Sequence, residues 1–155
     1  SRVAASHATM HDPNHSQEGS EVLRYVLVSI GSGILFGFMD GLINANPLAR
    51  RLYKVFEPIA KTTINVPAGL LIDLVYGFAL AAGFILLRSS LPGPGWVQGL
   101  AFGGLVWFAR VVMGVATQWM TLKIPTDALL YTLVTGLLEM LVLGLVYGLT
   151  LTVLV

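Results

Sequence analysis

The chain is 155 residues long with a formal net charge of +1; 55% of its residues are hydrophobic and only 11% are charged. A soluble domain averages about 25% charged residues, so this composition points to an integral membrane protein, and the small net charge gives no ground for a nucleic-acid partner. The absence of cysteine excludes disulfides, thiolate metal centres and thiol nucleophiles.

Ser1 to Ser20 are rich in Ser, His, Asp and Asn and lack the basic region followed by an apolar core that a signal peptide needs. They are expected to form a mobile polar tail (1–20) ahead of a single four-span domain (21–155). His7, His11 and His15 recur every four residues and on a helix would share a face, with Asp12 as a further ligand. Nothing there would fold such a site, so a solvated tail without metal is the expectation. No histidine falls within an apolar stretch to ligate haem, and no cofactor is expected.

Apolar runs long enough to span a bilayer, about 20 residues each, occur at 22–46, 66–87, 97–120 and 128–153. Leu, Gly, Ala and Val dominate them and period-two alternation is absent, which argues against a β-barrel. The expected fold is an all-α membrane protein, four transmembrane helices in a compact bundle.

Between the first two runs, Asn46 and Pro47 have the form of a helix cap and first-turn proline. Leu48, Leu52, Val55, Phe56 and Ile59 then share one helical face while Arg50, Arg51 and Lys54 point elsewhere, and Pro58 ends or kinks the element. This predicts a short amphipathic helix lying at the lipid headgroups, with Arg50, Arg51, Lys54 and Lys61 facing anionic lipid. Lys123 lies in the third loop, whereas Arg2, Arg24 and Arg88 lie on the other side. The positive-inside rule then puts the first and third loops in the cytoplasm and both termini outside it. Leu91-Pro92-Gly93-Pro94-Gly95 is a non-helical turn, and Trp96 anchors the third span at the interface.

Each apolar run carries one ionisable residue: Asp40, Asp73, Arg110 and Glu139. Charge inside a membrane is costly, so these are candidate functional residues. Counted inward from the expected cytoplasmic ends they lie about 9, 10, 15 and 16 Å deep, one layer. Each shares a face with small or polar residues, among them Gly37 and Asn44, Gly69 and Gly77, Gly103 and Gly114, and Thr132 and Gly136. A buried cluster of Asp40, Asn44, Asp73, Arg110 and Glu139 is therefore expected. Two nearby carboxylates in low dielectric do not both ionise comfortably, so Glu139 or Asp73 is expected to be protonated.

Gly33, Gly37 and Gly41 are expected helix-packing positions. Gly144 and Gly148 form a second small-residue stripe rotated about 140° from Glu139, expected to face outward toward a second copy or another membrane subunit. Leu74-Val75-Tyr76-Gly77 recurs as Leu145-Val146-Tyr147-Gly148, which could reflect two hairpins of common origin.

Gly69-Leu70-Leu71-Ile72-Asp73 and the chain length resemble lipoprotein signal peptidases, but that family's asparagine-rich motifs are missing and both aspartates fall on the cytoplasmic side. No phosphate-binding glycine loop, His-Glu-x-x-His or nucleophile elbow is present. Trp96-Val97-Gln98-Gly99-Leu100 with Gly103, Trp107 and Ile124-Pro125 resembles small four-helix bacterial membrane proteins of unknown function. That resemblance implies a fold and a bacterial inner membrane, but no activity. The expected role is a non-enzymatic accessory or structural subunit held by a static Asp/Arg/Glu network. The alternative is a small proton-coupled or ion-conducting transporter built on the same carboxylates.

Overall fold

The seven prolines mark where the helices begin and end. Proline lacks an amide donor and suits only first turns, loops and non-α segments, and all seven here occupy such positions. The computed structural model describes residues 13–61, 63 and 65–152, with the side chains of 13–16 left aside. In it, α1 runs Pro13–Ala45, α2 Pro47–Leu52, α3 Val66–Leu87, α4 Gly95–Val106, α5 Met113–Thr121 and α6 Thr126–Thr150. A 3-10 helix, Tyr53–Ile59, succeeds α2, and a π-helix, Trp107–Val112, joins α4 to α5 without a break. Asn46 Oδ1 accepts the Ala49 amide at 2.9 Å and Asn65 Oδ1 accepts the Ala68 amide at 3.1 Å, capping α2 and α3.

Among the described residues, four helical segments are long and apolar enough to cross a membrane: Gln17–Ala45, Val66–Ser90, Gly95–Thr121 and Thr126–Thr150. Their outward faces carry Ile34, Leu71, Leu86, Trp119 and Leu138, all exposed. An apolar surface of that extent suits lipid rather than water.

Within lipid, tails are as apolar as leucine, so helices associate by close backbone approach rather than by hydrophobic burial. Glycine provides it twice. Between α1 and α3, a Cβ on Gly77 would overlap the Ser29 carbonyl oxygen, and one on Gly33 would lie 2.9 Å from both the Asp73 carbonyl oxygen and Leu74 Cα. Between α4 and α6, a Cβ on Gly99 would overlap the Gly144 carbonyl oxygen, and one on Gly148 the Gly95 carbonyl oxygen. The two seams share a register: Ser29 and Gly33 against Gly77 correspond to Gly95 and Gly99 against Gly148. Phe36 beside Tyr76 (ring centroids 5.5 Å) corresponds to Phe102 beside Tyr147 (6.3 Å). The molecule is thus a pair of similar antiparallel hairpins, and the recurring Leu-Val-Tyr-Gly marks the same seam position in each.

The hairpins meet through side chains. Tyr147, fully buried, donates its hydroxyl to Ser32 Oγ at 2.9 Å, with the Gly77 carbonyl 3.3 Å away. Phe84 packs edge-on to Phe102 at 5.5 Å and stacks on Tyr147 at 6.2 Å.

Several expectations change. Gly144 and Gly148 do not face outward: both are buried in the seam with α4. Glu139 does not define the only inward face of α6, because α6 also buries Met140, Leu143 and Tyr147. Gly41 has nothing within 4 Å of where a Cβ would sit, so it makes no close helix contact. Pro13 to Ser20, assigned to the tail, are the first turns of α1. His7, His11 and Asp12 lie outside the described residues, as does the side chain of His15. In the first loop the α-helical repeat stops at Leu52 and tightens to 3-10, so the predicted apolar stripe splits: Leu52 and Phe56 are half-buried, whereas Leu48, Val55 and Ile59 are exposed.

Candidate functional site

Glu139 stands on α6, one turn beyond Gly136, and is only 6% exposed. Its Oε1 is buried without a hydrogen-bond partner. Nearly all buried polar atoms in native proteins find a partner, so an orphaned carboxyl oxygen calls for an explanation in function.

Arg110 lies in the π-helix, whose wider turn holds an extra residue and rotates the downstream side chains around the helix axis. Trp107 Nε1 donates to the Leu133 carbonyl at 2.9 Å and fastens this segment to α6. Val111 fills the space above Gly136, where a Cβ would lie 2.9 Å from its methyls. Arg110 is thereby directed to the first hairpin: its guanidinium carbon sits 4.9 Å from the Phe36 ring centroid and 4.4 Å from that of Tyr76. Both are within cation–π range.

Asp40, on α1, accepts a hydrogen bond from Asn44 Nδ2 at 2.9 Å. Asp40, Asn44, Arg110, Gln118, Thr132 and Glu139 border a common cavity of about 220 Å³. The first loop is fastened beside it: the Tyr53 hydroxyl meets Thr132 Oγ1 at 3.1 Å, Asn46 Nδ2 donates to the Tyr131 hydroxyl at 2.6 Å, and Tyr131 donates to the Ile43 carbonyl at 2.8 Å. Burial pushes the Tyr53 phenol above its ordinary range, against the lowering effect of its Thr132 hydrogen bond, so it serves as a neutral hydrogen-bonding group.

Asp73, half-buried on α3, is in a different place. With Asp40, Asn44, Gly69 and Arg50 it lines a second cavity of about 590 Å³ between α1 and α3. A Cβ on Gly37 would lie 2.6 Å from Asp73 Oδ2, so glycine makes room for this carboxylate. Asp40 and Asn44 form the wall between the two cavities.

The structure therefore brings Asp40, Asn44, Arg110 and Glu139 together and sets Asp73 behind Asp40. It does not form the expected ionic network: among the described residues no ion pair within 4 Å joins these charges, and Arg110 is engaged by rings instead. Nor is the cluster buried as expected: Glu139 is enclosed and Asp73 half-buried, whereas Asp40, Asn44 and Arg110 are exposed along the cavity. Among the described residues, no group of three or more His, Asp or Glu could hold a metal ion. Arg50, Arg51, Lys54 and Lys61 are all exposed, with Arg50 at the mouth of the second cavity.

No family model, curated protein or solved structure matches this chain. Its function is accordingly argued from the site. Sequence reading missed Tyr53, Tyr131, Phe36 and Tyr76 as site residues. The one available signal was tyrosine within apolar surroundings, a ring whose hydroxyl needs a partner when buried.

Proposed function

We propose that this chain is a non-enzymatic, small polytopic transporter of a bacterial inner membrane that couples solute movement to proton movement at Glu139. The observation that supports this is a buried carboxyl without a hydrogen-bond partner, opening onto a polar cavity that also holds Asp40 and Arg110. An intramembrane carboxyl facing a watery cavity can take up and release a proton as the cavity fills and empties. The basic first loop supports a cytoplasmic position for that end, and its exposed Arg50, Arg51 and Lys54 suit anionic headgroups. The accessory-subunit reading drew on a static ionic lock, and the absence of ion pairs among these residues removes its main support.

Reconstitution in liposomes with an internal pH-sensitive dye tests the proposal. Wild-type protein should move protons under an imposed gradient, Glu139→Gln should reduce the movement to background, and Glu57→Gln, outside the cavity, should leave it unchanged. Proton movement that survives Glu139→Gln, or is absent in every gradient, would refute this role.

A further inference from the structure

We infer that the solute of this cavity is a small zwitterion, with its carboxylate on Arg110 and its ammonium on Glu139 and Asp40; the assignment rests on the transport reading above. The site holds both signs of charge, and each keeps hydrogen-bonding capacity to spare. Glu139 Oε1 has no donor, and among the described residues no acceptor takes a hydrogen bond from Arg110. Opposite charges in one cavity would ordinarily collapse onto each other. Here the rings of Phe36 and Tyr76 hold the guanidinium carbon over their faces, and the π-turn carrying Arg110 is pinned to α6 through Trp107. A guanidinium held over ring faces spends none of its N–H donors on them and keeps them available for a planar carboxylate.

Charge selects among ligand classes. A simple anion at Arg110 would face Asp40 and Glu139 unpaired, and a simple cation at Glu139 would face Arg110. Each loses what a zwitterion gains, since discrimination comes from repulsion as well as attraction. Size narrows the class further. At about 220 Å³ the cavity falls below the range of about 300–1,000 Å³ typical of drug-sized ligands, which suits a solute of amino-acid size. Thr132 and Gln118 add polar groups to the lining, while Val111 and Val115 add apolar ones.

The test measures binding of radiolabelled glycine, alanine, serine and valine to the full chain in nanodiscs. Alaninamide, which keeps only the ammonium, and N-acetylalanine, which keeps only the carboxylate, serve as competitors. At least one zwitterion should bind, and neither single-charge analogue should come within about tenfold of it, the worth of one charge-assisted hydrogen bond. Arg110→Gln should reverse the order of alanine and alaninamide, and Glu139→Gln should favour N-acetylalanine. Misfolding cannot mimic such reversals, and the wild-type order decides the matter even if a variant fails to fold. Binding of no zwitterion, or equal binding of a single-charge analogue, overturns the inference. If protons still move in liposomes in that case, the transport reading stands alone. Zwitterion binding without proton movement would instead leave a binding site and remove the transporter.

Discussion

Tyr147 shows how a single side chain works where burial in itself provides little drive. Its ring fills the space between the hairpins, stacked on Phe84 and edge-on to Phe102, while its hydroxyl donates to Ser32 Oγ, which in turn donates to the Ser29 carbonyl at 3.0 Å. Hydrogen bonds between membrane helices average about 0.6 kcal/mol and reach about 1.7. Tyr147→Phe removes the hydroxyl but leaves Ser32 its own acceptor, so it should cost at most about 2 kcal/mol. Tyr147→Ala also removes the ring and should cost about 3–5 kcal/mol, as aromatic truncations in packed cores do. Denaturant unfolding in detergent, monitored by helical signal, measures both. Similar losses for the two variants would show that the hydroxyl, not the ring, joins the hairpins.

At the scale of elements, the glycines divide into two kinds that sequence spacing does not distinguish. Gly99 lies against the Gly144 carbonyl, whereas Gly104 has nothing within 4 Å of a built Cβ. Gly99→Ala should therefore force α4 and α6 apart and lower the unfolding temperature in detergent. Gly104→Ala should be neutral or stabilising by up to about 1 kcal/mol, the helix-propensity difference between the two residues. Equal effects would mean that the seam is not the close contact described. The four long apolar helices and the Asn46 cap before Pro47 were legible because length, hydropathy and capping chemistry are local properties. The direction of Gly144 and Gly148 was not. A helical wheel assigns one inward face, and α6, buried on both the α4 side and the first-hairpin side, has more than one. The π-turn at Arg110 was equally hidden, since its extra residue is held by Trp107 on Leu133 and by the rings of Phe36 and Tyr76, partners remote in sequence. Depth counting still brought Asp40, Arg110 and Glu139 to one cavity, because rise per residue depends little on which way a side chain turns. It could not separate Asp73, which occupies the same layer on the far side of α1.

For the whole molecule, the contrast between contacts within and between hairpins makes a prediction. Inside each hairpin, backbone lies on backbone along a glycine seam, so each should insert and hold together by itself. Between hairpins the joins are side chains: Tyr147 on Ser32, Arg110 over Phe36 and Tyr76, Tyr53 on Thr132, and Asn46 with Tyr131. The covalent link is the turn at Leu91 to Pro94, with Gly93 at φ +88°, and it contributes no residue to the charged cavity. A short linker raises the effective concentration of its two ends to the millimolar range, so severing it weakens association without removing any interhairpin contact. Residues 1–91 and 94–155, co-expressed as separate chains, should therefore copurify through a tag on either one and regain solute binding. Arg110→Gln and Tyr147→Phe should each reduce recovery of the split pair while scarcely affecting recovery of the intact chain, where the linker compensates. The double variant should reduce it further, approximately additively, because the two joins share no partner residue. Halves that fold singly but never copurify would show that the interface depends on the turn, and that the side-chain joins are too weak to assemble the site.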